Sequence, residues 1–304
     1  MISTISQQLL NVIMLGSLYS LVAIGFTLFF GVLDLINFAH GDVFMLGSFV
    51  ALFLFMTVAF FSSLNFFTVL LLFIITGLIV IVAGLLIYKL TIKPLATSPP
   101  LMMLLVTVGV SIFIREGVML FFPDGASPHP FPKIFPEATY KFLGMNIPSG
   151  YIFIILISII LVIAMSLFVN KTKLGMSIRA TAQDREAALM MGVDIDKTIA
   201  VTFIIGSLLA GIGGILNGAY YSTIKYDMGF VAGIKGFSCS VVGGLGNVYG
   251  AIVGSFVIAF LETIGAAFLP LGAEYKDVFT FIIVIIFLVI RPSGLMGEKK
   301  FEKV

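Results

Sequence analysis

The stretch Phe66–Tyr88 reads FFTVLLLFIITGLIVIVAGLLIY and holds no charged residue and no proline. A helix rises 1.5 Å per residue, so about 20 apolar residues cross a hydrocarbon core of about 30 Å. This run is long enough, and in lipid its backbone groups can be satisfied only within a helix. The same signature recurs on both sides of it. Apolar spans are predicted at Leu9–Phe30, Gly41–Phe61, Leu101–Phe122, Gly150–Val169 and Ile199–Tyr221, then at Gly229–Leu245, Val248–Leu269 and Val278–Ile290. The last is short and is extended back through Tyr275, with Lys276 snorkelling to the interface. The expectation is an all-α polytopic membrane protein with about eight or nine transmembrane helices, broken or re-entrant near residues 31–41 and 243–248.

Composition agrees. Of 304 residues, 60% are hydrophobic and 11% charged, and the mean hydropathy is +1.19. Soluble domains carry about 25% charged residues, so a soluble enzyme and a disordered chain are both excluded. The net charge of +2 gives no reason to expect nucleic acid. The single cysteine, Cys239, excludes an internal disulfide framework. The start of the chain lacks a basic segment followed by a small-residue cleavage site, so its first apolar run is read as a retained span.

Basic residues in short loops set orientation. Lys171, Lys173, Arg179, Arg185 and Lys197 crowd one connection, and Arg291, Lys299, Lys300 and Lys303 crowd the C-terminal end. Both are expected to be cytoplasmic. Residues 1–304 then form one transmembrane domain with a cytoplasmic coupling segment at 171–197, an external loop at 123–149 and an outside N-terminus. Gly47-Ser48-Phe49-Val50-Ala51 echoes Gly254-Ser255-Phe256-Val257-Ile258. Both copies would run in the same direction, as a parallel repeat requires.

Four places could carry function. In the first, Lys173–Asp194 is too polar to span and rich in helix formers; Asp184 and Glu186 suit a short helix start and Gly192 its stop. Ile178, Ala182, Leu189 and Val193 fall near one face at helical spacing. The segment is either a coupling helix or a charged loop that only sets topology. The second is Asp34–Asp42, with Asn37, His40 and Gly41, which interrupts two spans. It is either a broken helix beside a substrate path, where free backbone groups meet charged ligand groups, or a tight turn with Asn37 and His40 capping helix ends. In the third, Gly243, Gly244, Gly246 and Asn247 form either an unwound segment at the path or a close-packed turn. The fourth is Glu262, an intramembrane carboxylate: a path residue or a group held between helices. Gly206, Gly211, Gly213, Gly214 and Gly218 are read as close helix contacts. Arg115 and Glu116 are adjacent and expected to point apart. With His129 in the external loop, His40 has no partner for a metal site, and no catalytic constellation is present.

Glu186-Ala187-Ala188 followed by Gly192 resembles the EAA loop of ABC importer permeases. Gly16–Gly25, Phe30-Gly31-Val32 and Ile36–Gly41 resemble the N-terminal signature of the branched-chain amino acid permease family. Val241–Asn247, Tyr249-Gly250-Ala251, Glu274–Asp277 and Arg291–Leu295 extend the likeness, which is nearest to its LivH-type members. Membership implies a subunit of a bacterial inner-membrane importer. Its partners would be a homologous LivM-type permease, two cytoplasmic ATPases, a periplasmic solute-binding protein and the surrounding lipid, with the C-terminus cytoplasmic. Arg179, Arg185, Glu186, Ala187, Ala188 and Gly192 would meet the ATPase. The chain has no G-x-x-x-x-G-K-[ST] loop, so no cofactor is expected on it and ATP would be bound by the partners. The rival reading is a self-powered transporter or channel, which would want ionisable groups deep in several spans.

Overall fold

The computed structural model describes residues 2–62, 65–96, 98–142, 145–268 and 273–297. Each apolar segment becomes a helix: α1 (Ile2–Leu33), α2 (Ala39–Thr57), α3 (Phe66–Ile87), α4 (Pro100–Phe121) and α5 (Ser149–Lys171). After the polar connection, which folds as α6 (Lys173–Gln183) and α7 (Arg185–Met190), come α8 (Ile195–Tyr221), α9 (Met228–Gly243), α10 (Val248–Phe268) and α11 (Lys276–Ile290). Seven of these helices are long and apolar enough to cross a membrane. The other two apolar helices, α9 with 16 residues and α11 with 15, are short. Among the described residues strand is confined to two small antiparallel ladders, β2 (Thr139–Phe142) with β3 (Met145–Pro148), and β1 (His129–Pro130) with β4 (Thr223–Ile224).

Helix α1 is the axis of the bundle, with 89% of its apolar window buried. It packs against α5, α8, α9 and α10, while α4 and α5 present most of their surface outward. That outward surface is apolar, including Phe113 and Ile163, as a lipid-facing side must be. α1 contacts β3 at one face of the molecule. At the other, Gly31 faces Ala182 of α6. The N-terminal end of α1 therefore lies on the side of loop 123–149, opposite the coupling segment. Lys299, Lys300 and Lys303 lie outside the described residues.

The small residues act as expected. A Cβ built on Gly206 would lie 2.6 Å from the Phe29 ring, and one on Gly213 would lie 3.1 Å from Phe44. Gly211 abuts Val80, and Gly218 abuts Phe131.

Two expectations are corrected. Lys276 does not snorkel: α11 starts there, after a 3-10 turn at Ala273–Tyr275, and its ammonium lies 2.7 Å from Glu262. A carboxylate 2.7 Å away, itself 1% exposed, holds the ammonium there. Arg115 and Glu116 do approach each other, with Nε 3.5 Å from Oε1. Both side chains are long enough to fold back along one flank of α4, where Arg115 also lies 5.8 Å over the Phe230 ring.

Candidate functional site

The cytoplasmic connection folds as two helices because Asp184 leaves helical geometry, with φ −156° and ψ 109°. There its Oδ1 accepts from the backbone N–H groups of Glu186 and Ala187, each at 3.0 Å. Thr172 caps α6 in the same way through Gly175. Gly192 takes φ +82°, and the bonds Gly192 N–H to Leu189 O and Val193 N–H to Ala188 O, both 3.0 Å, complete a Schellman stop. Every device that ends α7 is therefore local.

The kink at Asp184 overturns the single apolar face drawn through Ile178, Ala182, Leu189 and Val193. Gly175, Ile178 and Thr181 of α6 and Ala188 of α7 are buried. Leu189, Met190 and Met191 are exposed, at 63%, 83% and 85%. Arg179, Arg185, Glu186 and Ala187 are exposed beside them. α7 thus offers a charged flank and an apolar tip.

Behind α7 lies a groove of about 480 Å³ lined by Tyr88, Lys93, Met103, Arg185, Glu186 and Asp196. Here α3 continues as a π-turn, Tyr88–Ile92, a form common at functional positions. The Tyr88 hydroxyl donates to Asp196 at the start of α8, and Lys93 pairs with the same carboxylate at 2.6 Å. α7 faces this linkage between α3 and α8 across the groove. Asp184→Ala removes the cap and, at about 1 kcal/mol per N-cap, should fray a six-residue helix. Hydrogen exchange over 185–191 is expected to rise sharply while α8 stays protected.

The second place is the interruption after α1. Asp34 takes φ +52°, and the chain doubles back so that His40 rests against Gly25 and Val22, inside the bundle. His40 Nε2 lies 3.2 Å from Val22 O, and its ring sits between Phe26 and Phe29. A Cβ on Gly25 would be 2.1 Å from the imidazole, so Gly25 forms the notch it fills. His40 lies within α2 and caps nothing. Asn37 is buried, and its backbone carbonyl accepts from His40 N–H. Gly41 lets the first turn of α2 touch α9: its Cβ would fall 2.3 Å from Gly229 O.

The third place, Gly243–Val248, is a turn. Gly244 and Gly246 hold φ of +111° and +87°, and a Cβ on Gly243 would sit 2.0 Å from Gly250 O. Leu295 and Met296 donate to Val242 O and Gly243 O, both at 2.8 Å. Asn247 caps α10 through Gly250 N–H and donates to Met296 O. The glycines admit the 291–297 segment against the turn.

Glu262 is 1% exposed and held between helices. Tyr19 of α1 donates to it at 2.6 Å, Lys235 of α9 at 3.0 Å, and Lys276 of α11 lies 2.7 Å away. Lys235 is also 2.8 Å from Asp277, an ion pair by distance whose angle falls outside hydrogen-bond geometry. Sequence reasoning missed Lys235. The available signal was one ammonium and one carboxylate in successive spans, each too costly to bury alone. Among the described residues, no group of three or more His, Cys, Asp or Glu side chains could hold a metal ion.

A bundle of apolar helices with internally neutralised charges, interrupted helices at its centre and a capped elbow on one face defines a multi-pass membrane transport protein. A family model described as branched-chain amino acid transport system / permease component matches residues 8–288. The chain belongs to that family. The high-affinity branched-chain amino acid transport system permease protein LivH of Salmonella typhimurium LT2 is 33% identical to it, over 98% of this chain and 97% of its own length. LivH of Escherichia coli K12 and BraD of Pseudomonas aeruginosa PAO1 are each 34% identical with the same coverage. No solved structure matches.

Proposed function

We propose that this chain is the transmembrane permease subunit of an ATP-driven importer, carrying branched-chain or related apolar amino acids from a periplasmic binding protein into the cytoplasm. It sits in a bacterial cytoplasmic membrane with its C-terminus inside and pairs with a LivM-type permease. The two cytoplasmic ATPases engage the α6–α7 elbow through Arg179 of α6 and through Arg185, Glu186, Ala187, Ala188 and the Gly192 stop of α7. The observation that carries this reading is α7 itself, a helix fixed at both ends by local caps yet exposed along its charged flank and apolar tip. Such an element is built to be gripped from outside. ATP binding in the partners moves α7 and α6 together, α6 meeting α1 at the Gly31–Ala182 contact and α7 facing the Tyr88–Asp196–Lys93 linkage of α3 and α8 across the groove.

The family relation supports an importer over a self-powered transporter. Lys235 and Glu262 are spent on each other and on Asp277. The test is co-expression with the candidate ATPases, then purification and reconstitution. Glu186→Lys is expected to abolish ATPase recovery with the permease while its own yield holds. Uptake by the chain alone in proteoliposomes, without ATPases, would overturn the reading.

A further inference from the structure

Asp42 belongs to none of the roles assigned above. It is 1% exposed; Oδ2 accepts from Ser111, midway along α4, while Oδ1 has no hydrogen-bond partner among the described residues. We propose that Asp42 receives the α-ammonium group of the transported amino acid, where the first turns of α2 and α9 meet inside the helical layer. The proposal rests on the amino-acid importer reading and names the group that meets the ligand's positive charge.

Three observations converge there. A carboxylate acceptor left open away from water calls for a donor, and Asn37 Oδ1 in the same interruption is a second buried acceptor without a partner among the described residues. The open oxygen is aimed at the start of α9, since a Cβ built on Gly229 would lie 2.7 Å from Oδ1. Neither helix start carries a side-chain cap, at Phe38 for α2 or at Asp227 for α9. Uncapped first-turn N–H groups and the helix dipole favour a carboxylate. Acceptors for an ammonium thus stand beside donors for a carboxylate, the pattern of an amino-acid zwitterion.

The protein's own nearby cation does not fill the place. Arg115 acts on Asp42 through space, but its guanidinium is turned to Glu116 and the Phe230 ring. Access follows from how the two helices touch. Gly41 meets Gly229 and Gly233 backbone to backbone, so at that point no side chain stands between the first turns of α2 and α9. Phe230 and Val231, 51% and 45% exposed, leave the outer flank of the α9 turn uncovered.

The test uses the assembled transporter in proteoliposomes, with its binding protein, ATP and labelled leucine. Asp42→Asn is expected to cut the initial uptake rate about tenfold to a hundredfold, as loss of one charge-assisted hydrogen bond implies, with recovery of the assembled complex at the wild-type level. Wild-type uptake in Asp42→Asn overturns the subsite while leaving the importer reading intact. Absence of leucine uptake in the wild-type complex overturns both. If Asp42→Asn does not assemble, Asp42→Cys in a Cys239→Ser background decides, because Cys239 is the only native cysteine. Labelling by a small cationic methanethiosulfonate during turnover, blocked by saturating leucine, supports the site. A thiol that never reacts, or that leucine does not protect, overturns it.

Discussion

Glu262→Gln is expected to lower the melting temperature of the purified permease more than any other single side-chain change among its buried polar groups. Glu262 is the hub of a neutral four-charge cluster, joined to Lys235, Lys276 and Tyr19, with Asp277 paired to Lys235. The amide keeps the shape and removes the charge, leaving two ammonium groups and one carboxylate. Breaking a buried pair on one side costs about 3–5 kcal/mol because the remaining charge is stranded. The side chains of Glu262 and Lys235 are 1% and 8% exposed, so solvent screens them little. Adding Lys276→Met to Glu262→Gln removes the stranded ammonium and leaves Lys235 with Asp277, its partner at 2.8 Å. The double variant should therefore melt above Glu262→Gln, a non-additive result that the pairing requires. Thermal melting in detergent, with both single variants and the double, reads this directly. An unchanged midpoint in Glu262→Gln, or strict additivity, would mean that the cluster does not hold α9, α10 and α11 together.

The cluster also marks where sequence stops being informative. Spans such as Phe66–Tyr88 are legible because hydrophobic length is a local property. The end of α7 is legible for the same reason: Gly192 and its two bonds lie within a few residues of one another. Asp184 also reads as suiting a helix start, but that it ends α6 as well, and so breaks the apolar face drawn from Ile178 to Leu189, shows only in its extended backbone and its bonds to Glu186 and Ala187. Glycine density at Gly243–Gly246 does not give the segment's shape; the turn is visible only in the docking of Leu295 and Met296, some 50 positions later in the chain. Glu262 and Lys276 each looked like a separate problem of burial or snorkelling, and Lys235 drew no reading at all. Their common solution depends on three helices meeting, and no single window contains it. The interruption at 34–42 was visible as an oddity, but the depth to which it returns, against Gly25 and Ser111, was not.

That depth depends on how closely α2 lies against α8, and substituting the glycine at their contact should expose the dependence. A Cβ on Gly214 would fall 2.0 Å from the carbonyl oxygen of Phe44 and 3.1 Å from Ser48 Oγ. Ser48 in turn donates to Gly214 O at 2.7 Å. Backbone cannot yield as a side-chain tip can, so Gly214→Ala must push the helices apart and break that bond. Overpacking of this kind costs about 1–3 kcal/mol or more. Gly109 on α4 is the control, since nothing lies within 4 Å of a Cβ placed there. In a helix interior alanine is favoured over glycine by about 1 kcal/mol, so Gly109→Ala should melt at or slightly above the wild type. Both substitutions add one methyl group to an apolar helix, so a difference between them reports contact and not hydrophobicity. Melting of the two purified chains is the measurement; equal midpoints would sink the idea that α2 is seated by backbone contact. A lowered midpoint in Gly214→Ala should come with a faster rate of hydrogen exchange in the first turn of α2, because residues 39–42 are held in place through the same helix that the methyl group displaces.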